Sequence, residues 1–109
     1  MQYYVYWSGV SGNQYEFQID PLGTNFKIVP GVYILCHWVG NGWQADYVGE
    51  TENFHGRLSN GCATHHRLHS IHAAGSTHIC TMRFSVGLTI REAIETDLRQ
   101  RLNPCCNRQ

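Results

Sequence analysis

Two short β segments, the nearly all-apolar residues 32–39 and residues 43–48, flank the tripeptide Gly40-Asn41-Gly42. This stretch constrains the fold more than any other. The first run is apolar at nearly every position, the pattern of a strand covered on both faces and central in a sheet. Asn41-Gly42 is the residue pair favoured in tight hairpin turns, so residues 43–48 return as the partner strand. Pairing lets Tyr33 of one strand and Tyr47 of the other present their hydroxyls at one surface. Thr51 or Asn53 can cap a helix that runs towards Asn60 and carries Arg57.

Around this hairpin the chain alternates strands and helices. Residues 3–8, rich in tyrosine and valine, and residues 15–19, alternating in polarity, read as a second hairpin about a turn at 9–13. Residues 20–24 form a loop. Residues 60–64 interrupt the pattern, and Thr64 can cap a helix over 65–74 that Gly75 would end. Residues 77–85 read as a strand with His78, Cys80 and Met82 on one side and Ile79, Thr81 and Arg83 on the other. Thr89 and Glu92 have capping-box spacing at the start of a last helix. Its stripe is Ile90, Ala93, Ile94, Asp97, Leu98, Arg101 and Leu102, and Pro104 ends it. The expected fold is α/β (α+β): a small central antiparallel or mixed sheet flanked by helices, with an extra N-terminal hairpin.

A length of 109 residues suits one domain. At 42% hydrophobic and 15% charged, the chain can bury a core. Its zero net charge argues against strong nonspecific nucleic-acid binding, which needs a basic surplus. A small anion site remains compatible, because seven of the eight cationic residues are arginines, the better bidentate phosphate ligands. Five cysteines without regular spacing, and no signal-peptide pattern, point to free thiols in a reducing cytoplasm. Cys105-Cys106 is incidental on this reading, since adjacent cysteines rarely meet disulfide geometry. No apolar run is long enough to span a membrane.

Five elements occur in a telling order. They are Gly31-Val32-Tyr33, then Tyr47-Val48-Gly49 leading into Glu50-Thr51-Glu52-Asn53-Phe54, then Gly56-Arg57-Leu58, then Ala93-Ile94-Glu95, and finally Asn103-Pro104 with Asn107. Over residues 30–107 the chain resembles the GIY-YIG nuclease family, with residues 1–29 as an added hairpin on a catalytic core. The resemblance implies a divalent-metal-dependent endonuclease of DNA-repair type that hydrolyses DNA phosphodiester bonds. Tyr33 and Tyr47 would act at the attacking water, Tyr33 as phenolate or through a relay. Arg57 would favour the ionised phenol and grip a phosphate oxygen. Glu95 would hold one Mg²⁺ or Mn²⁺, and Asn107 would fix the geometry by hydrogen bonding.

The chain departs from the family one turn after Arg57, where a proton-accepting side chain is replaced by Gly61. Removing residues 61–64 restores a regular family sequence. We therefore expect a four-residue insertion, with His65 in the proton-accepting role and within about one water of the Tyr33 hydroxyl. Two other functions compete. One is a non-catalytic or partner-dependent nucleic-acid-binding module of the same fold. The other is a transition-metal site at His65, His69 and His72, spaced i, i+4, i+7, with Cys62 upstream. Because the chain is neutral, a protein partner or a homodimer would supply extra affinity for the DNA substrate.

Overall fold

The computed structural model describes residues 2–62, 65, 67–84 and 87–107. Five strands, β1 (Tyr3–Ser8), β2 (Gln14–Pro21), β3 (Gly31–Trp38), β4 (Trp43–Thr51) and β5 (His78–Arg83), form one sheet in the order β1-β2-β5-β3-β4. Every pairing is antiparallel. Helices α1 (Phe54–Cys62), α2 (Leu68–Ala74) and α3 (Leu88–Leu102) and a 3-10 turn (Cys105–Asn107) complete the fold. No helix among the described residues is long and apolar enough to cross a membrane.

The all-apolar run becomes β3, held between β5 and β4 and buried from Gly31 to Cys36. Its alternating side chains feed two cores. Val32, Ile34 and Cys36 meet Trp7, Phe17, Val48, Cys80 and Leu98 of α3. Tyr33 and Leu35 point the other way, against Tyr47, Ile79, Phe54 and Leu58 of α1, Ile71 of α2 and Cys106. A fully buried leucine such as Leu58 or Leu98 contributes on the order of 2–5 kcal/mol by the usual cost of its truncation.

The N-terminal hairpin extends the sheet, because β2 pairs with β5 from Gln18↔Thr81 to Pro21↔His78. It also shares the core through Trp7 and Phe17. The Asp97 carboxylate of α3 fastens the hairpin turn, accepting hydrogen bonds from Ser11 N–H at 2.9 Å, Ser11 Oγ at 2.7 Å and Tyr15 Oη at 2.7 Å.

The β3–β4 loop, the bounds of α1 and α2, and the cap and face of α3 differ from expectation. The β3–β4 loop has four residues between paired Trp38 and Trp43, and Gly40 (φ 96°) takes the left-handed conformation rather than an Asn41-Gly42 two-residue turn. Helix α1 continues to Cys62, past the interruption read at residue 60, and α2 starts at Leu68 rather than His65. The cap expected from Thr64 and the strand end expected at Ser85 lie outside the described residues. Helix α3 begins at Leu88 with Gly87 as N-cap and no side-chain cap, so Thr89 and Glu92 form no capping box. Its inward face is Arg91, Ile94, Leu98 and Leu102, while Ile90 is 43% exposed. Asp97 lies off that face because it is spent on the hairpin turn.

Candidate active site

Strand register decides where the two tyrosines meet. Tyr33 pairs with Gly49, and Leu35 pairs with Tyr47, so the tyrosines stand two residues apart along one face. Their ring centroids are 6.0 Å apart at 30°. Both glycines of the two motifs have steric reasons. A Cβ on Gly49 would come 2.6 Å from the Tyr33 hydroxyl, and one on Gly31 would strike the Met82 carbonyl and the Phe54 ring. Just beyond Tyr47 the register slips between Leu35 and Cys36, which leaves Asp46 as an extra residue in β4. The bulge buries Asp46, whose carboxylate accepts from Ser76 Oγ at 2.7 Å and pairs with His37 Nδ1 at 2.8 Å.

His65 completes the centre. Its Nε2 lies 2.6 Å from Tyr33 Oη, and its ring stands edge-on to Tyr33 and Tyr47 at centroid distances of 5.7 and 4.9 Å. The other ring nitrogen, Nδ1, accepts the Arg67 backbone N–H at 2.9 Å. An accepting Nδ1 carries no proton, so the neutral ring bears its proton on Nε2 and donates it to Tyr33. In this arrangement the neutral imidazole donates to the Tyr33 oxygen. Tyr33 is fully enclosed, and His65 is only 4% exposed.

Tyr47 has a different character. Burial pushes its phenol above the ordinary value, and the Glu95 charge adds to this, while Arg67, Arg57 and Arg99 oppose. Tyr47 thus keeps its proton at neutral pH and has an O–H to donate. Three arginine charges reach this one phenol in a chain with no net charge. Arg57 is half-buried on α1, whose start is set by Asn53: its Oδ1 accepts Gly56 N–H at 3.1 Å, and its carbonyl accepts Arg57 N–H at 3.2 Å. Thr51 Oγ1 accepts the Asn53 N–H at 3.2 Å, so the two rival caps act in series.

Glu95 projects from α3 with 19% of its side chain exposed and Arg99 at 3.8 Å. Burial raises its carboxyl pKa, Arg99 and the Glu50 backbone N–H pull it down, and the charges of Glu50 and Glu92 raise it further. Asn107 acts on β4 as a strand would: Oδ1 accepts Val48 N–H at 2.8 Å, and Nδ2 donates to Val48 C=O at 2.9 Å. The amide thereby covers the open edge of β4 within the second tyrosine motif.

One brace escaped sequence reading. Arg91, 4% exposed, places Nε 3.0 Å from Glu50 Oε2, beside the backbone N–H that Glu95 accepts. The signal was present as Arg91, Glu95 and Arg99, four residues apart with alternating sign. The Asp46–His37–Ser76 cluster had no such signal, because it depends on the bulge.

The donors suit a hard divalent ion held by one carboxylate with water and phosphate, since Glu95 sits within the field of two more carboxylates. Among the described residues no three His, Cys, Asp or Glu side chains are grouped to hold a metal. The competing transition-metal site loses its geometric premise. His65 precedes α2 and is turned to Tyr33, whereas His69 and His72 are exposed on α2. The Cys62 side chain lies outside what is described. Comparisons with protein-family models, with curated proteins and with solved structures returned no match to the chain.

Proposed function

We propose that this chain is a divalent-metal-dependent endonuclease that hydrolyses DNA phosphodiester bonds. The observation that carries the proposal is the Tyr33–His65 hydrogen bond of 2.6 Å, made with His65 Nδ1 already occupied. A phenol with pKa near 10 becomes a usable base only where its anion is stabilised, and a donor at this distance does that. Tyr33 then takes the proton of the attacking water. Tyr47, kept protonated, donates a hydrogen bond to the phosphate, and Arg57 neutralises charge on a phosphoryl oxygen. Glu95 would hold Mg²⁺ or Mn²⁺, which supplies Lewis-acid stabilisation of the phosphoryl and leaving oxygens. Asn107 keeps Val48, and with it Tyr47 and Gly49, in register. The zero net charge of the chain calls for a partner or a second copy to hold duplex DNA. The free thiols Cys36, Cys80, Cys105 and Cys106 suit a reducing compartment such as the cytoplasm.

A second reading has its own observation. Tyr33 has no exposed surface, so water reaches its hydroxyl only when the groups around it yield. In a non-catalytic nucleic-acid-binding module the same hydrogen bond would be a core contact. Supercoiled plasmid incubated with Mg²⁺ or Mn²⁺ separates the two. Nicking by the wild type that is lost in Tyr33→Phe and Glu95→Gln supports the enzyme. Plasmid binding without nicking supports the module, and neither outcome sinks both.

A further inference from the structure

Beside the candidate site, a solvent-open cavity of about 320 Å³ lies between α3 and the 3-10 turn, lined by Thr96, Arg99, Gln100, Asn103, Pro104 and Asn107. Thr96, Arg99 and Gln100 recur at i, i+3 and i+4, which places them along one face of α3, and Asn103 is the residue that caps its C-terminus. No carboxylate lines the groove, although acidic and basic residues are equal in number over the chain. Its polar side chains are one guanidinium, one hydroxyl and three amides, the groups that most often bind phosphate and sugar oxygens in protein–DNA complexes. No aromatic ring is present to stack a base.

Two residues join the groove to the site. Arg99 pairs with Glu95 at 3.8 Å and sends its charge to Tyr47. Asn107 lines the groove while its amide holds Val48. We propose that the groove is a subsite for the sugar–phosphate backbone flanking the scissile bond, an inference that rests on the nuclease reading of the neighbouring site. It binds the strand through backbone oxygens and not through base edges, and so independently of sequence. It also supplies a local hold on DNA that the net charge of the chain does not.

The test is fluorescence anisotropy with a short fluorescein-labelled DNA duplex, in a Tyr33→Phe background that prevents turnover. Gln100 is exposed in the last turn of α3, so Gln100→Glu and Gln100→Lys should fold, which thermal unfolding checks. Gln100→Glu is expected to weaken binding about five- to tenfold through repulsion of a phosphate at contact distance. Gln100→Lys should tighten it and steepen the plot of log K against log salt by about one unit. Asn41→Asp, in the β3–β4 loop, adds the same charge elsewhere and should leave binding unchanged. Equal binding by wild type and both Gln100 variants, or an equal loss in Asn41→Asp, overturns the subsite and leaves the nuclease reading standing. Failure of the wild type to bind or cut any DNA overturns that reading and the subsite together.

Discussion

His65 Nε2 meets Tyr33 Oη at 2.6 Å while Arg67 N–H fills His65 Nδ1, so a backbone amide fixes which nitrogen serves the phenol. Tyr33→Phe keeps the ring and removes the hydroxyl that accepts from His65. Leaving a buried N–H without its partner costs about 1–3 kcal/mol. On the nuclease reading, kcat falls about 10²–10⁴-fold, the range of general acid–base contributions. Single-turnover cleavage and chemical unfolding measure the two effects separately. A variant that loses the stability but never had activity to lose assigns the contact to the core alone.

Gly49 faces Tyr33 across the β3–β4 ladder, and its missing Cβ is the space that the tyrosine ring occupies. Gly49→Ala forces Tyr33 or the strand to move. Overpacking of this kind costs about 1–3 kcal/mol. Because the displaced group is the hydroxyl end of Tyr33, activity should fall further than stability would explain. The check compares cleavage at a temperature where both proteins are fully folded. Normal activity there would mean that the hydroxyl position does not matter to the reaction.

The sheet was legible because its cause is local. The doubly apolar run of β3, the glycine-rich loop after it and the tyrosine-rich N-terminal strands each announce themselves within a few residues. The face assignment of β5 followed from simple alternation. What could not be read depends on contacts between distant segments. Arg91 is buried because Glu50 lies across from it, 41 residues away. Asp46 turns inward only because β4 carries one more residue than β3 at that point. The start of α3 differs from the sequence pattern because the capping spacing of Thr89 and Glu92 is pre-empted by Gly87, two residues earlier. The placement of His65 was expected from its position after residues 61–64, but the amide that fixes its tautomer could not be.

Asn107 pairs with β4 at one residue as a neighbouring strand would. Asn107→Ala leaves Val48 N–H and C=O without their partners at a half-buried edge, at a cost of about 1–3 kcal/mol. Asn107→Asp is the sharper probe, since it keeps the acceptor for Val48 N–H but turns a carboxylate oxygen towards Val48 C=O. It should destabilise at neutral pH and recover as acid protonates the new carboxyl. Amide hydrogen exchange at Val48 reads this directly. Protection equal to wild type in Asn107→Ala would show that the amide is not what holds the edge.

Glu95 links stability, pH and metal in one side chain. Burial raises its carboxyl pKa above the ordinary 4.5, so the folded protein holds that proton to a higher pH than the unfolded chain does. Where the native state binds more protons, stability falls as pH rises. The loss begins near the unfolded pKa and is complete above the folded one. Glu95→Gln cannot titrate, so it should match wild type in acid and become the more stable protein as pH rises through that window. Added Mg²⁺ should reverse the order at neutral pH by binding the ionised wild type. At a concentration 100 times Kd, such binding adds about 2.7 kcal/mol. The same substitution should abolish cleavage. Urea unfolding of both proteins across pH, with and without Mg²⁺, tests every part: parallel curves would remove the burial argument, and an equal Mg²⁺ shift in both proteins would move the ion away from Glu95.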